Sequence, residues 1–168
     1  TATSRVIAIG SATAPLRAAI VERVTALRAG DPVDPTTSLG PVIDTAARDR
    51  VAAMVADAET DGAQVVLRPP VPSVGAFHPA TVIDGVTPGM RVAQDEVFGP
   101  VVALMEAADL EAAIRIHNGV AYGLSGSIWT RDVGKALRAA KALQAGVISV
   151  NSNSSVHTEA PFGGYKMS

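Results

Sequence analysis

The sequence predicts an α/β fold in which helices flank a largely parallel sheet. Short apolar runs rich in β-branched residues alternate along the chain with longer segments that begin at helix-capping residues. The short runs are apolar on both faces, as expected for parallel strands that helices cover on either side. These two observations favour a three-layer sandwich, and the length of 168 residues is that of one domain.

Six strands are predicted from the apolar runs. The runs are bounded by glycine, proline or polar turn residues, which interrupt regular structure. The predicted strands cover residues 5–9, 64–67, 80–83, 101–105, 125–129 and 147–150, and a shorter extended piece lies at 91–94.

Four helices are predicted from their caps and from apolar residues that recur on one face. The first helix starts at Thr13 and ends at Gly30, and the second starts at Asp44 and stops at Gly62. The other two are predicted from Asp109 to Asn118, closed by Gly119, and from Thr130 to about Gln144, stopped by Gly146.

The composition excludes several classes of function. The net charge is −2 and no basic patch occurs, so a nucleic-acid partner is not expected. No apolar run approaches the roughly 18 residues that span a bilayer, so we expect no membrane partner and a cytoplasmic location. The chain has no cysteine, which rules out disulfides, cysteine-ligated zinc and a thiol nucleophile within these residues.

A carboxylate just before a tight turn is the first candidate for a ligand site. Glu96 and Phe98 precede Gly99-Pro100, which leads into a predicted strand. The two oxygens of a carboxylate held on such a turn suit the adjacent hydroxyls of a ribose. The ordinary alternative is a solvated Glu96 with Phe98 in the core, and the residues alone favour that alternative.

The glycine-rich end of the chain is the second candidate. Gly163 and Gly164 permit close backbone approach and would allow Phe162 to project into a pocket. An ordinary loop with its aromatic side chain in the core is the alternative, and the residues alone favour it. No phosphate-binding glycine loop or nucleophile elbow occurs, and the three histidines lack the spacing of metal ligands, so no metal site is predicted.

Five motifs, taken in order, resemble the aldehyde dehydrogenase superfamily. They are Gly30-Asp31-Pro32 with Asp34-Pro35 and Leu39-Gly40-Pro41-Val42-Ile43, then Glu96-Val97-Phe98-Gly99-Pro100-Val101, then Asn118 with Tyr122-Gly123-Leu124, then Gly146 with Val150-Asn151, and last Pro161-Phe162-Gly163-Gly164-Tyr165-Lys166-Met167-Ser168. The second motif is similar to the E-x-F-G-P-V signature of that family. The resemblance covers essentially the whole chain.

The resemblance implies that the chain contributes particular parts of a larger enzyme. Residues 1–150 would form the thiol-bearing catalytic domain, and residues 151–168 would start the loop that leads to an oligomerisation strand. The family places its nucleophilic cysteine just before the position of Thr1, and its general-base glutamate and oxyanion asparagine also outside this chain. We therefore expect an excerpt that is inactive alone, from a homo-oligomeric enzyme.

The implied reaction is oxidation of an aldehyde to a carboxylic acid with NAD or NADP, through a thioester on the enzyme. By resemblance, Glu96 would bind the nicotinamide ribose hydroxyls, and Phe98 would pack beside the nicotinamide end of the cofactor. Phe162 and the loop at Val156 would line the aldehyde entrance. Many relatives carry an aromatic residue near Val156, so a valine there indicates a wider pocket.

Two other functions compete with this one. The chain could be a stand-alone, non-catalytic binding or assembly module derived from the same fold. A reductase of the same superfamily, acting on a phosphate ester or semialdehyde, would share the fold and run the chemistry in reverse.

Overall fold

The computed structural model describes residues 3–153 and 158–168. The chain divides into two compact units, one that ends at Glu106 and one that runs from Ala107 to Ser168. The predicted division of the enzyme's domains at residue 150 stays a prediction.

The unit that ends at Glu106 is built around a four-stranded sheet. Its elements are β1 (Arg5–Ile9), a 3-10 turn (Gly10–Ala12), α1 (Thr13–Thr25), α2 (Thr45–Thr60), β2 (Gln64–Leu67), β3 (Thr81–Asp84), α3 (Arg91–Gln94) and β4 (Val101–Ala107), the last of which ends one residue into the other unit. The strand order is β1-β4-β3-β2. Strands β3 and β4 are parallel, whereas β2 joins β3 in the antiparallel direction at one edge.

The unit from Ala107 onward holds two small sheets. Its elements are α4 (Leu110–Asn118), β5 (Tyr122–Gly123), β6 (Ser125–Ile128), α5 (Val133–Ala142), β7 (Val147–Val150) and β8 (Tyr165–Lys166). Strands β6 and β7 are parallel, and β5 pairs with β8 in the antiparallel direction. The predicted α/β class, with a largely parallel sheet and flanking helices, is confirmed.

Aspartate side chains cap three of the helices. Asp44, Asp109 and Asp132 each accept a hydrogen bond from the backbone N–H three residues further on, at 2.7, 2.7 and 3.0 Å. The first two caps are those predicted. The prediction that Thr130 caps α5 is wrong, because its hydroxyl instead accepts from the Asp132 N–H and Asp132 starts the helix.

Two other predictions about the secondary structure are wrong. Residues 91–94 form one helical turn rather than an extended piece, since Val92 and Ala93 are both buried in a run too short to show a period. Helix α1 ends at Thr25, five residues before Gly30. Gly30 instead donates its N–H to the Leu39 carbonyl, and a Cβ there would lie 2.7 Å from the Thr37 hydroxyl.

The core is aliphatic, as the small aromatic content predicts. Helix α2 contributes Val51, Met54, Val55 and Ala58, and strand β3 contributes Val82 and Ile83. These side chains are almost fully buried, and burial of each large aliphatic side chain stabilises the fold by roughly 1.5–3 kcal/mol. Because this face of α2 is buried in the core, the helix is a fixed support for the candidate site described below.

We expect the stability of the fold to depend on pH through His78. This side chain is 5% exposed, and its Nδ1 donates to the Pro79 carbonyl oxygen at 2.8 Å. Burial lowers the pKa of His78, and the charge of Arg68 lowers it further, while the bond to Pro79 opposes both effects. The unfolded chain then binds a proton at higher pH than the folded chain does.

The stabilisation is therefore complete above about pH 6.5, the ordinary histidine pKa, and is lost as the pH falls through the lower folded-state pKa. Urea unfolding at pH 7.5 and 5.5 (about one unit to either side of that value) measures the loss. The His78→Gln variant should show a smaller loss between the two pH values. Equal losses in both proteins would contradict the assignment to His78.

Candidate functional site

The turn from Glu96 to Pro100 is held from beneath by helix α2. Val97 is 1% exposed, and its carbonyl oxygen accepts a hydrogen bond from Arg50 Nη1 at 2.8 Å. Gly99 lies against Val51, where a Cβ would come within 2.6 Å of a valine methyl carbon. The Pro100 carbonyl then accepts from the backbone N–H of Thr81 in β3 at 2.8 Å. The middle of the turn is thus fixed to the core.

Glu96 is exposed on this fixed turn. Its carboxylate has no hydrogen-bond or ion-pair partner within residues 3–153 and 158–168. The neighbouring Asp95, by contrast, forms an ion pair with Arg91 at 3.4 Å. The Glu96 carboxylate therefore keeps both oxygens available as acceptors for a ligand.

Phe98 lies outside the core, contrary to the ordinary role considered above for an aromatic residue at this turn. The side chain is 72% exposed, and its backbone φ is 49°, in the left-handed region. A bulky residue in that conformation is uncommon and persists only where the surroundings enforce it. The buried Val97 and the tight Gly99 supply that constraint on either side.

We expect substitutions at Phe98 to change stability according to backbone conformation. The left-handed region costs a non-glycine residue roughly 1–2 kcal/mol, while glycine loses roughly 0.5–1 kcal/mol more conformational entropy on folding. Phe98→Gly should therefore raise the free energy of unfolding by up to about 1.5 kcal/mol. Phe98→Val should lower it, because a β-branched residue tolerates this conformation worst. Urea midpoints that rank valine level with glycine would contradict this account.

Phe162 lies in the other unit, on the segment that follows the undescribed residues. It is 48% exposed, so it is an exposed residue and not part of the core. The carbonyl of the next residue, Gly163, lies so close to Gly146 that a Cβ on Gly146 would come within 1.7 Å of its oxygen. The predicted pocket residue Val156 lies outside the described residues.

The structure brings some of the predicted site residues together. Glu96 and Phe98 share one turn and are both exposed, whereas Phe162 belongs to the unit from Ala107 onward. Sequence reasoning missed Arg50, which holds the Val97 carbonyl from a helix 47 positions away. No local pattern marks such a residue, because an arginine on an amphipathic helix is ordinarily a solvated one.

Among residues 3–153 and 158–168, no three histidine or acidic side chains form a group that could hold a metal ion. No helix in the same part of the chain is long and apolar enough to cross a membrane.

Comparison with known proteins places the chain in a family. The sequence model of the aldehyde dehydrogenase family matches residues 1–168. Succinate-semialdehyde dehydrogenase [NADP(+)] 1 of Mycobacterium ulcerans (strain Agy99) is 39% identical over 151 residues, which are 88% of this chain and 32% of that protein. Betaine aldehyde dehydrogenase 2 of Rhizobium meliloti (strain 1021) is also 39% identical, over 90% of this chain and 32% of its own length.

Solved structures also indicate the aldehyde dehydrogenase family. The crystal structure of betaine aldehyde dehydrogenase from Staphylococcus aureus in complex with NAD+ superposes with a TM-score of 0.90 at 33% identity. The match covers 97% of this chain and 33% of that one. The chain thus spans about a third of the length of the relatives it matches. It belongs to the aldehyde dehydrogenase family.

Proposed function

We propose that this chain forms part of an NAD(P)-dependent aldehyde dehydrogenase and holds the nicotinamide end of the cofactor. The observation that supports this most strongly is the exposed, unpartnered carboxylate of Glu96 on a turn fixed to the core. An unpartnered carboxylate on a rigid support is preorganised to accept hydrogen bonds from a ligand, which lowers the entropic cost of binding.

The residues present fit a nicotinamide riboside. The two oxygens of Glu96 match the two neighbouring hydroxyls of a ribose, each of which donates one proton. The exposed ring of Phe98, two residues further on, offers an apolar surface for the nicotinamide end. When bound, the cofactor accepts the hydride of the aldehyde, and the role of this chain is to orient the ring that receives it.

NAD and NADP carry the same nicotinamide ribose, so Glu96 serves either cofactor. One relative is named for NADP(+) and one solved relative contains NAD+, which supports the proposal for both forms. The reaction proposed is oxidation of an aldehyde to a carboxylic acid.

Phe162 and Val156 are proposed to line the aldehyde entrance. The half-exposed ring of Phe162 supports this, since an aromatic side chain beside a pocket mouth supplies apolar area at small entropic cost. The matching relatives are named for different aldehydes, succinate semialdehyde and betaine aldehyde. We further propose that the intact enzyme is a homo-oligomer located in the cytoplasm. Light scattering on the purified enzyme would test the oligomeric state.

The chain alone is not expected to oxidise aldehydes. Its 168 residues contain no cysteine, so it cannot supply a thiol nucleophile by itself. Formation of NADH or NADPH by the purified chain with an aldehyde and either cofactor would refute this part of the proposal.

Ribose recognition can be tested directly on the chain. Saturation-transfer NMR with nicotinamide mononucleotide should detect weak binding that is lost in Glu96→Gln. The matched control is Asp95→Asn, which removes the adjacent exposed carboxylate that is already paired with Arg91. Binding should also weaken when the 2′-hydroxyl of the ribose is removed. Equal signals from the Glu96 and Asp95 variants would contradict the role of Glu96.

A further inference from the structure

The ammonium group of Lys166 binds the last residue of helix α4 and the turn that follows it. Its Nζ donates to the carbonyl oxygens of Asn118 at 2.6 Å and Val120 at 2.9 Å. The last carbonyls of a helix lack partners within the helix and carry partial negative charge. A lysine that donates to such carbonyls makes charge-assisted bonds, which are stronger than bonds between neutral groups.

The end of α4, where Lys166 binds, is itself held in place by side-chain hydrogen bonds. The amide side chain of Asn118 donates to the Ala142 carbonyl at 2.9 Å and accepts from the Gln144 N–H at 2.8 Å. One residue thereby joins the end of α4 to the end of α5. Because its backbone carbonyl also receives Lys166, Asn118 connects three parts of the unit through its own atoms.

The backbone of Lys166 shows how strongly this geometry is enforced. Its φ is 57°, in the left-handed region that costs a non-glycine residue roughly 1–2 kcal/mol. Such a conformation is retained where surrounding contacts determine it. The N–H of Met167 donates to the Ala121 carbonyl at 3.1 Å, and the hydroxyl of Ser168 accepts from the Gly123 N–H at 3.0 Å.

These contacts lie close to Phe162 in the chain. Only three residues separate Phe162 from Lys166, and Tyr165 is paired with Gly123 in the β5–β8 sheet. Gly163, in the same segment as Phe162, lies in close contact with Gly146, which precedes β7. The segment from Phe162 to Ser168 is therefore held near its far end by Lys166 and near its start by the contact of Gly163 with Gly146.

We propose that Lys166 is a positioning residue for the aldehyde: its bonds to the Asn118 and Val120 carbonyls set Phe162 at the mouth of the substrate pocket. The proposal rests on the proposed function, since it takes Phe162 as part of the aldehyde entrance. Lys166 itself touches neither substrate nor cofactor in this account. It acts through the segment that it fastens.

Hydrogen exchange on the chain tests the fastening separately from any activity. Lys166→Met removes the three donors and keeps the aliphatic stem, whereas Lys166→Arg keeps the cation. The methionine variant should exchange the amides of Met167 and Gly123 at least tenfold faster, and the arginine variant should recover most of the protection. Lys141→Met, at an exposed lysine in the last turn of α5, is the matched control and should change neither amide. Unchanged exchange in Lys166→Met would overturn the proposal.

Kinetics of the dehydrogenase tests the effect on the aldehyde. Lys166→Met should raise the KM for the aldehyde about tenfold, with the cofactor dissociation constant within twofold of the parent value, and Lys166→Arg should restore the KM. Faster exchange with an unchanged KM would overturn the positioning role. If the unmutated enzyme oxidised no aldehyde, the proposed function would fail, while the exchange result would still decide whether Lys166 fastens the segment.

Discussion

Gly146→Ala is expected to release the segment that carries Phe162 from the rest of its unit. A Cβ at this position would lie 1.7 Å from the Gly163 carbonyl oxygen, 2.6 Å from its carbon and 3.0 Å from the Gly164 Cα. All three are backbone atoms, so no side-chain rotation can relieve the clash. Either strand β7 shifts or the segment after residue 160 leaves, and leaving also gives up the bonds of Lys166 and Ser168.

The substitution can destabilise the unit by no more than the free energy that holds the docked segment to it. Overpacking of this kind costs about 3 kcal/mol, which corresponds to roughly 100-fold faster exchange of the Met167 amide. Amides of β3 and β4 should keep their protection, because their hydrogen bonds lie in the four-stranded sheet. Hydrogen exchange with mass spectrometry measures the exchange of the Met167 amide and of the amides in β3 and β4.

The matched control is the partner glycine in the same contact. A Cβ on Gly163 would meet no atom within 4 Å, so Gly163→Ala should leave exchange close to that of the parent. Alanine at Gly146 is therefore expected to speed exchange of the Met167 amide, whereas alanine at Gly163, on the other side of the same contact, is not. Equal protection of Met167 in both variants would show that the contact between the two glycines does not hold the segment.

Much of the fold is predictable from short-range chemistry. Strand β7 was predicted at the residues where it occurs, and the caps at Asp44 and Asp109 follow from the ability of a short carboxylate to accept a backbone N–H. These features depend on residues only a few positions apart. A single sequence contains all the information they need.

Features that depend on distant residues were not predictable. Gly30 looked like a helix stop, but its backbone pairs with Leu39 and its α-hydrogens face Thr37. The two-residue strands β5 and β8 are 42 positions apart in the chain (Gly123 to Tyr165) and have no apolar pattern of their own. Only the folded structure shows that they pair.

The candidate site was predictable in part. The signature around Glu96 indicated a carboxylate at a turn, and the structure places it exposed there. The left-handed backbone of Phe98 was not predictable, since a phenylalanine before glycine is more often a core residue. The roles of Arg50 and Lys166 also depend on carbonyls 47 and 48 positions away, which no motif specifies.

Glu96→Gln is expected to slow hydride transfer roughly 10- to 100-fold in the dehydrogenase. Hydrogen bonds to a charged acceptor contribute about 1.5–3 kcal/mol, and each 1.4 kcal/mol lost from the transition state slows the step about tenfold. Glutamine keeps one acceptor oxygen and the size of the side chain, but its amide nitrogen cannot accept from the second ribose hydroxyl. The nicotinamide ring is then less well held, while attack on the aldehyde remains possible.

A primary isotope effect separates this cause from a general loss of function. With an aldehyde deuterated at its reacting carbon, Glu96→Gln should show a larger isotope effect on kcat than the parent, because hydride transfer becomes the slow step. Asp95→Asn, at the preceding residue, should leave kcat and the isotope effect unchanged, since the Asp95 carboxylate is paired with Arg91. A Glu96→Gln enzyme with the parent's cofactor dissociation constant and turnover would show that this carboxylate does not hold the ribose.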